Sequence, residues 1–316
     1  MTNKLIVRLS NELGNQMFMY ASALGISHKL KRELLIDNET AFLSRKNISR
    51  YGLNNFNINS SVANNKYKFL GNYGYIKRKI LKKIDYFNHN KKFYIEHRDG
   101  DKITEYNEDF LDLNLSKNTY LEGYFETEKY FIDIKNIINN EFIFNNLDNF
   151  MQSPFYKLLN QDNAVAICLR QNRFSEGVNQ NNITSNNLLS ITYTKEQIKY
   201  VNNSIEFFKN KITNPIFYLW SNDLSTIDTS NFIEKINLVK HPMEFTINID
   251  QRALDLFLIS QSKNHIVIPS SFNWWGAWLS KKKGKIILRP SNSFFSTFRI
   301  NNKNLWPNEW FKIDPS

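Results

Sequence analysis

Two adjacent hydroxyls at the start of an aromatic segment are the first residues in this sequence whose types and spacing suggest chemistry. Ser270-Ser271-Phe272-Asn273-Trp274-Trp275-Gly276-Ala277-Trp278 follows directly on the apolar run His265-Ile266-Val267-Ile268. A strand that ends in small polar residues and turns into a helix offers free N–H groups and a positive dipole end to an anion. Serines placed there add donors for phosphate oxygens. An ordinary N-cap in front of a core helix has the same composition. Arg170 is a second anion-directed residue, just past the apolar run Val165-Ala166-Ile167-Cys168-Leu169. A guanidinium at a strand end can fork onto two phosphate oxygens, the alternative being a surface ion pair. The third element is Leu13-Gly14-Asn15-Gln16-Met17-Phe18, after the short strand Leu5-Ile6-Val7. Gly14 is expected to let the backbone turn tightly and approach a ligand. With one glycine only, the segment is not a dinucleotide fingerprint.

A metal centre is not expected. The one Asp-x-Asp, Asp99-Gly100-Asp101, is flanked by Arg98 and Lys102 and reads as a turn. Cys168, the single cysteine, lies in an apolar strand and reads as core. It allows no internal disulfide, which suits a reducing, cytoplasmic setting. Met1-Thr2-Asn3-Lys4 does not resemble a secretory signal, and no apolar run is long enough to span a bilayer.

The 316 residues include 41 Lys and Arg against 30 Asp and Glu, a formal charge of +11. That excess implies an anionic partner: a phosphorylated sugar nucleotide, an acidic membrane surface or nucleic acid. No nucleic-acid-binding module is recognisable, so nucleic acid is not the expected partner. The densest basic stretch, Lys77-Arg78-Lys79-Ile80-Leu81-Lys82-Lys83-Ile84, has Ile76, Ile80, Ile84 and Phe87 at helical spacing. A membrane-surface helix has this pattern, which would place the protein peripherally on the inner face of the membrane. The reading preferred from sequence is a solvated helix packed on the core.

The elements that must position these residues alternate. A strand at Leu5–Arg8, a helix at Gln16–Leu30 and a strand at Glu33–Ile36 form a βαβ unit. Residues 37–118 are irregular. A strand follows at Tyr120–Glu122, with a helix from about Thr127 and a candidate linker at Asn145–Ser153. The second half predicts strands at Val165–Leu169, Ile216–Trp220, His265–Ile268 and Ile286–Arg289, and helices at Thr194–Lys209, Gln251–Ser262 and Phe272–Lys281. Such alternation implies parallel sheets with ligands at the carboxyl ends of the strands. The expected domains are residues 1–150 and 151–316.

Taken together, Leu13-Gly14-Asn15-Gln16-Met17-Phe18 and Ser270-Ser271-Phe272-Asn273-Trp274-Trp275-Gly276-Ala277-Trp278 resemble the bacterial α-1,2-fucosyltransferases of glycosyltransferase family 11. Arg50-Tyr51-Gly52-Leu53, Leu121–Phe131, Tyr218–Asp223, Leu254–Ser260 and Pro307-Asn308-Glu309-Trp310 extend the likeness along nearly the whole chain. The resemblance implies an α/β, GT-B-like fold in which two Rossmann-like domains face a central cleft, the first on the acceptor side and the second binding a GDP-sugar. It implies a metal-independent, inverting transfer of L-fucose from GDP-fucose, with no cofactor, to the 2-hydroxyl of a galactose-terminated glycan. A lipid-linked precursor of a surface polysaccharide such as O-antigen would be such an acceptor. The same fold with another sugar or linkage is the alternative within the class; a basic nucleic-acid-binding protein is the alternative outside it.

The family's His-x-Arg-Arg-x-Asp stands here as Cys168-Leu169-Arg170-Gln171-Asn172-Arg173. Arg170 matches the first arginine, Gln171 replaces the second, and Arg173 is expected either to restore the missing charge or to leave the diphosphate to Arg170 and the Ser270-Ser271 helix start. Asp255, at a position where the family has Asp, reads either as an acceptor for guanine N–H groups or as a charge complementing the helix dipole. Glu12 replaces a family glycine and reads as a base for the acceptor hydroxyl or as a solvated loop carboxylate. Asn15 reads as an amide contact to substrate, and Phe272 as part of the donor-side helix start.

Overall fold

Apolar runs without alternation mark strands covered on both faces, and the chain builds two parallel sheets from them. The structure is a computed structural model that describes residues 3–42, 50–86, 93–96, 105–108, 118–175, 183–246, 249–298 and 303–315. The chain divides into two compact units, residues 1–145 with 301–307 and residues 146–300 with 308–316.

In the first unit, β1 (Lys4–Arg8) leads into α1 (Leu13–Lys29) and β2 (Glu33–Asp37), followed by β3 (Ser61–Val62), α2 (Gly71–Tyr86), β4 (Phe93–Ile95), β5 (Thr119–Glu122) and α3 (Lys135–Glu141). The sheet order is β3-β2-β1-β5-β4, and every pairing is parallel. The stretch from 37 to 118, read as irregular, therefore supplies two strands and a helix. The expected helix from about Thr127 begins as two 3-10 turns, and regular helix starts only at Lys135.

In the second unit, α4 (Leu147–Met151) and α5 (Tyr156–Leu159) precede β6 (Ala164–Leu169), α6 (Ile183–Lys211), β7 (Ile216–Ser221), β8 (Ile236–Leu238), α7 (Met243–Thr246), α8 (Gln251–Gln261), β9 (Asn264–Ile266), α9 (Ser271–Trp278), β10 (Ile286–Pro290) and β11 (Phe311–Ile313). The order is β11-β10-β9-β6-β7-β8, again parallel throughout. The boundary between the units falls at 145/146, at the start of the candidate linker 145–153, and the rest of that segment is structured, since α4 lies within it and buries Phe150 against Phe257.

Packing fixes the strand ends that matter. Val165, Ile167 and Leu169 of β6 form one core with Tyr193, Tyr200, Val201, Ile205 and Phe208 of α6. Gly276 lets α8 and α9 close on each other, since a Cβ there would stand 2.4 Å from Ile259 Cγ2. Trp274, Trp275 and Trp278 are buried, with Trp310 added against Trp274 at 5.6 Å between centroids. They form the packed base of α9 and leave only its first turn accessible.

Candidate functional site

In the second unit, the carboxyl ends of β6, β7 and β9 lie side by side, with Cys168 opposite Trp220, Leu169 opposite Ser221 and Ile167 opposite Ile266. Arg170 leaves β6 at that edge, half-buried. Its backbone is clamped by the buried Gln197 of α6, whose Oε1 accepts from the Arg170 N–H at 2.8 Å while its Nε2 donates to the Arg170 carbonyl at 3.0 Å. Asn222, just past β7, grips the next residue in the same way: its Oδ1 accepts from Gln171 N–H at 2.7 Å and its Nδ2 donates to the Gln171 carbonyl at 3.2 Å. Two amide clamps thus hold the backbone from which Arg170 projects.

The Gln171 side chain points inward. It is buried, its Oε1 accepts from Thr194 at 3.2 Å, and its Nε2 has no hydrogen-bond partner. Asn172 then takes a left-handed φ of 54°, which returns the chain toward the sheet. Arg173 does not stand beside Arg170 as a second, solvent-directed cation. Its Nη1 donates to the Pro269 carbonyl at 2.7 Å and to Tyr193 Oη at 3.2 Å, with the guanidinium 5.3 Å over the Tyr193 ring. Through Nη1, Arg173 therefore braces the turn that precedes α9.

That turn delivers the serines. Ser270 is the N-cap of α9, in extended conformation, and its side chain makes no capping bond to the helix. Asn273 supplies a different tie, its Oδ1 accepting from Ile268 N–H at 2.8 Å. The first turn, with Ser270, Ser271 and Phe272 partly exposed, thus places the positive end of the α9 dipole at the surface, where an anion is favoured.

Asp255 is the fifth residue of α8, beyond the first turn, so the helix-dipole reading is corrected. Its Oδ1 accepts from Trp220 Nε1 at 3.2 Å and pairs with His241 Nε2 at 2.8 Å. These two bonds orient the carboxylate at the sheet edge. Burial, with the charge of Asp255 added, pushes the Cys168 thiol well up, which agrees with a core role. Burial and then Lys285 push His265 down to about 3, so this ring is a neutral structural group bonded to the Ser262 carbonyl.

In the first unit, the loop after β1 carries the other expected residues. Gly14 lies inside the first turn of α1 with helical backbone, and the tight turn falls instead on Asn11 at φ 62°. Asn11 tolerates that conformation and donates from Nδ2 to Tyr124 Oη at 2.5 Å. Glu12 is the exposed N-cap of α1, without a side-chain cap bond, and Asn15 is partly buried one turn on. Gln16 explains why the loop is ordered. It is fully buried, donating to the carbonyls of Asn11 at 2.7 Å and Arg50 at 2.8 Å and accepting from Gly52 N–H at 2.9 Å.

At the carboxyl edge of the same sheet stands a row of charge. Arg8 lies opposite Asp37, and Glu122 follows the register pair Val7 and Leu121. Asp37 accepts from Tyr120 and Thr40, and Glu122 is held by Arg78 and by Lys82 at 3.0 Å. Burial alone would raise the Glu122 carboxyl, but the Arg78 hydrogen bonds and charge, with Lys82, hold it below the ordinary carboxylate range. Burial and then Arg78 lower the Arg8 guanidinium.

Sequence reasoning missed Gln197, His241, Gln16 and the Arg8–Asp37–Glu122 row. For Gln197 a signal existed: it stands on the apolar face of α6 between Tyr193 and Tyr200, where a polar residue needs a reason. Asp99-Gly100-Asp101 lies outside the described residues, and among the described residues no group of three or more His, Cys, Asp or Glu could hold a metal ion.

Comparison with known proteins places this arrangement. An alpha-1,2-colitosyltransferase of Escherichia coli is 24% identical over 98% of this chain and 99% of its own length. The O-antigen biosynthesis glycosyltransferase WbnK of Escherichia coli is 24% identical over 96% and 99%. Among solved structures, the fucosyltransferase NodZ from Bradyrhizobium matches with a TM-score of 0.51 at 14% identity, covering 87% of this chain and 92% of that one. A mutant FUT1 of Arabidopsis thaliana in complex with GDP matches with a TM-score of 0.53 at 13% identity, covering 97% and 75%. These likenesses make the fold α/β and GT-B-like, with two Rossmann-like units. The model of glycosyl transferase family 11 matches residues 1–314, and the chain belongs to that family.

Proposed function

We propose that this glycosyltransferase moves L-fucose from GDP-fucose to the 2-hydroxyl of a terminal galactoside with inversion, in the assembly of a surface polysaccharide such as O-antigen. The observation that carries the reading is that β6, which ends in the clamped Arg170, pairs with β9, and that Arg173 ties its loop to the turn that starts α9 at Ser270-Ser271. Bond cleavage leaves negative charge on a diphosphate, and a fixed guanidinium with preorganised N–H donors stabilises it without reorganisation. In this reading the second unit holds the donor: Arg170 and the α9 start contact the diphosphate, Ser271 and Phe272 line the entry, and Asp255 accepts from the guanine. The first unit serves the acceptor, with Glu12 as base for the attacking hydroxyl and Asn15 as an amide contact. Arg173 acts indirectly, by holding Pro269. The relative named as an O-antigen biosynthesis glycosyltransferase and the solved fucosyltransferases support the sugar and the setting.

A second reading has specific support. The relative named as an alpha-1,2-colitosyltransferase favours the same linkage with a different sugar. A mass-spectrometric screen of sugar nucleotides against simple galactosides decides between them. GDP-fucose turnover with a 2-linked product is expected; turnover with another GDP-sugar alone establishes the second reading, and transfer from UDP-sugars alone overturns both.

A further inference from the structure

Helix α2 rests on the core through Leu81 and carries Tyr73, Ile76, Ile80 and Ile84 on the side away from it. At roughly 100° per residue, Tyr73, Ile76, Ile80 and Ile84 fall within an arc of about 80°. Ile76, Ile80 and Ile84 are 55, 52 and 51% exposed, and Tyr73 is 78% exposed. The opposite side is the one held to the fold. Gly74 is pressed on Phe69, whose carbonyl carbon would stand 2.4 Å from an added Cβ, while Arg78 and Lys82 bind Glu122. The helix thus packs on the core as expected from the sequence, but through Gly74, Leu81 and the basic contacts to Glu122, while its isoleucines turn outward.

Exposed Lys77, Lys79 and Lys83 border the stripe, and residues 71–84 contain no acidic side chain. Lys77 flanks one edge, and Lys79 and Lys83 the other. An apolar strip bordered by cations matches the boundary of an anionic bilayer, where acyl chains cover the strip and headgroups pair with the ammoniums. No helix among the described residues is long and apolar enough to cross a membrane, so contact of this kind is interfacial. We propose that α2 lies on an anionic lipid leaflet, with Ile76, Ile80 and Ile84 inserted and Lys77, Lys79 and Lys83 at the headgroups. This proposal does not depend on which sugar is transferred.

The test is cosedimentation of the full chain with vesicles of phosphatidylcholine containing phosphatidylglycerol, against vesicles of phosphatidylcholine alone. Binding is expected to the anionic vesicles only and to weaken as salt is raised. The triple variant Ile76→Ser, Ile80→Ser, Ile84→Ser is expected to lose binding by about tenfold or more, since the inserted area is gone. Its circular dichroism and thermal midpoint should stay near those of the parent, because the three side chains face solvent. Lys79→Glu with Lys83→Glu is expected to abolish the preference for phosphatidylglycerol. The proposal is overturned if anionic vesicles are not bound, or if the folded triple variant binds them as well as the parent. It is equally overturned if light scattering shows that the stripe instead joins two copies of the chain.

Discussion

A guanidinium N–H of Arg173 donates at 2.7 Å to the carbonyl oxygen of Pro269, a residue 96 positions further along the chain. The bond ties the loop after β6 to the turn that starts α9, so the two parts of the proposed phosphate site share one support. In the proposed reading, Arg170 contributes charge to that site and Arg173 contributes its geometry.

These two arginines should therefore fail differently. Arg170→Ala is expected to lower turnover by roughly a hundredfold or more with little change in thermal midpoint, as for a group acting on developing charge. Arg170→Lys should recover little, because the fork is lost. Arg173→Ala should lower the thermal midpoint as well as activity, since a charge-assisted bond worth about 1.5–3 kcal/mol is removed. Near-normal activity in Arg170→Ala with a folded but inactive Arg173→Ala would reverse the assignment.

Restoring the family's second arginine should not improve the enzyme. Gln171 is buried with Thr194 on its Oε1, so Gln171→Arg places a larger charged group where Gln fits. Overpacking costs typically about 1–3 kcal/mol, and an uncompensated charge adds to that. Differential scanning fluorimetry should show a lowered midpoint and steady-state kinetics no gain; a faster and equally stable variant would contradict the burial argument.

Asp255→Asn should act on donor binding. The carboxylate is oriented by Trp220 and His241, and in the proposed role it accepts from guanine N–H groups. The KM for the GDP-sugar is expected to rise about tenfold with a smaller change in kcat, the pattern of a contact made equally in ground and transition states. A fall in kcat at constant KM would place Asp255 in the chemical step instead.

The Glu122 cluster predicts an acid dependence of stability. Its folded-state carboxyl lies below the ordinary value, so the contribution is fully present above the unfolded pKa of about 4.3 and is lost as pH falls through the folded value. Glu122→Gln removes it at every pH and strands Arg78, at a cost of about 3–5 kcal/mol. Urea unfolding at neutral pH and in acid should show the difference between parent and variant shrinking as the pH drops. A constant difference would mean that Glu122 is not the titrating group.

Chelation should leave transfer intact. No metal-holding cluster is present among the described residues, and in the proposed site Arg170 and the α9 start meet the diphosphate charge. Loss of turnover in EDTA with recovery on added manganese would show that Asp99-Gly100-Asp101 holds a metal rather than forming a turn alone.

Local pattern was legible in the sequence because it depends on near neighbours. The apolar runs Val165–Leu169 and Ile216–Trp220 and the helical periodicity of 251–262 each specify one element, and the observed β6, β7 and α8 follow them closely. Ser270 and Ser271 were legible as a helix start for the same reason. The family likeness added the order of the motifs. Side-chain direction and partners at long separation were not legible, since they depend on register and on which face of a helix the fold presses inward. Gly14 looked like a turn residue until α1 absorbed it and Asn11 took the positive φ. Arg173 looked like a spare cation until folding brought Pro269 to it. Which face of α2 would meet the core was not legible either: Leu81 packs on it and Arg78 and Lys82 reach the buried Glu122, so the isoleucines face outward. In each case the tertiary structure supplied a partner that the local sequence does not contain, and the stronger, charge-assisted or sterically required contact decided the orientation.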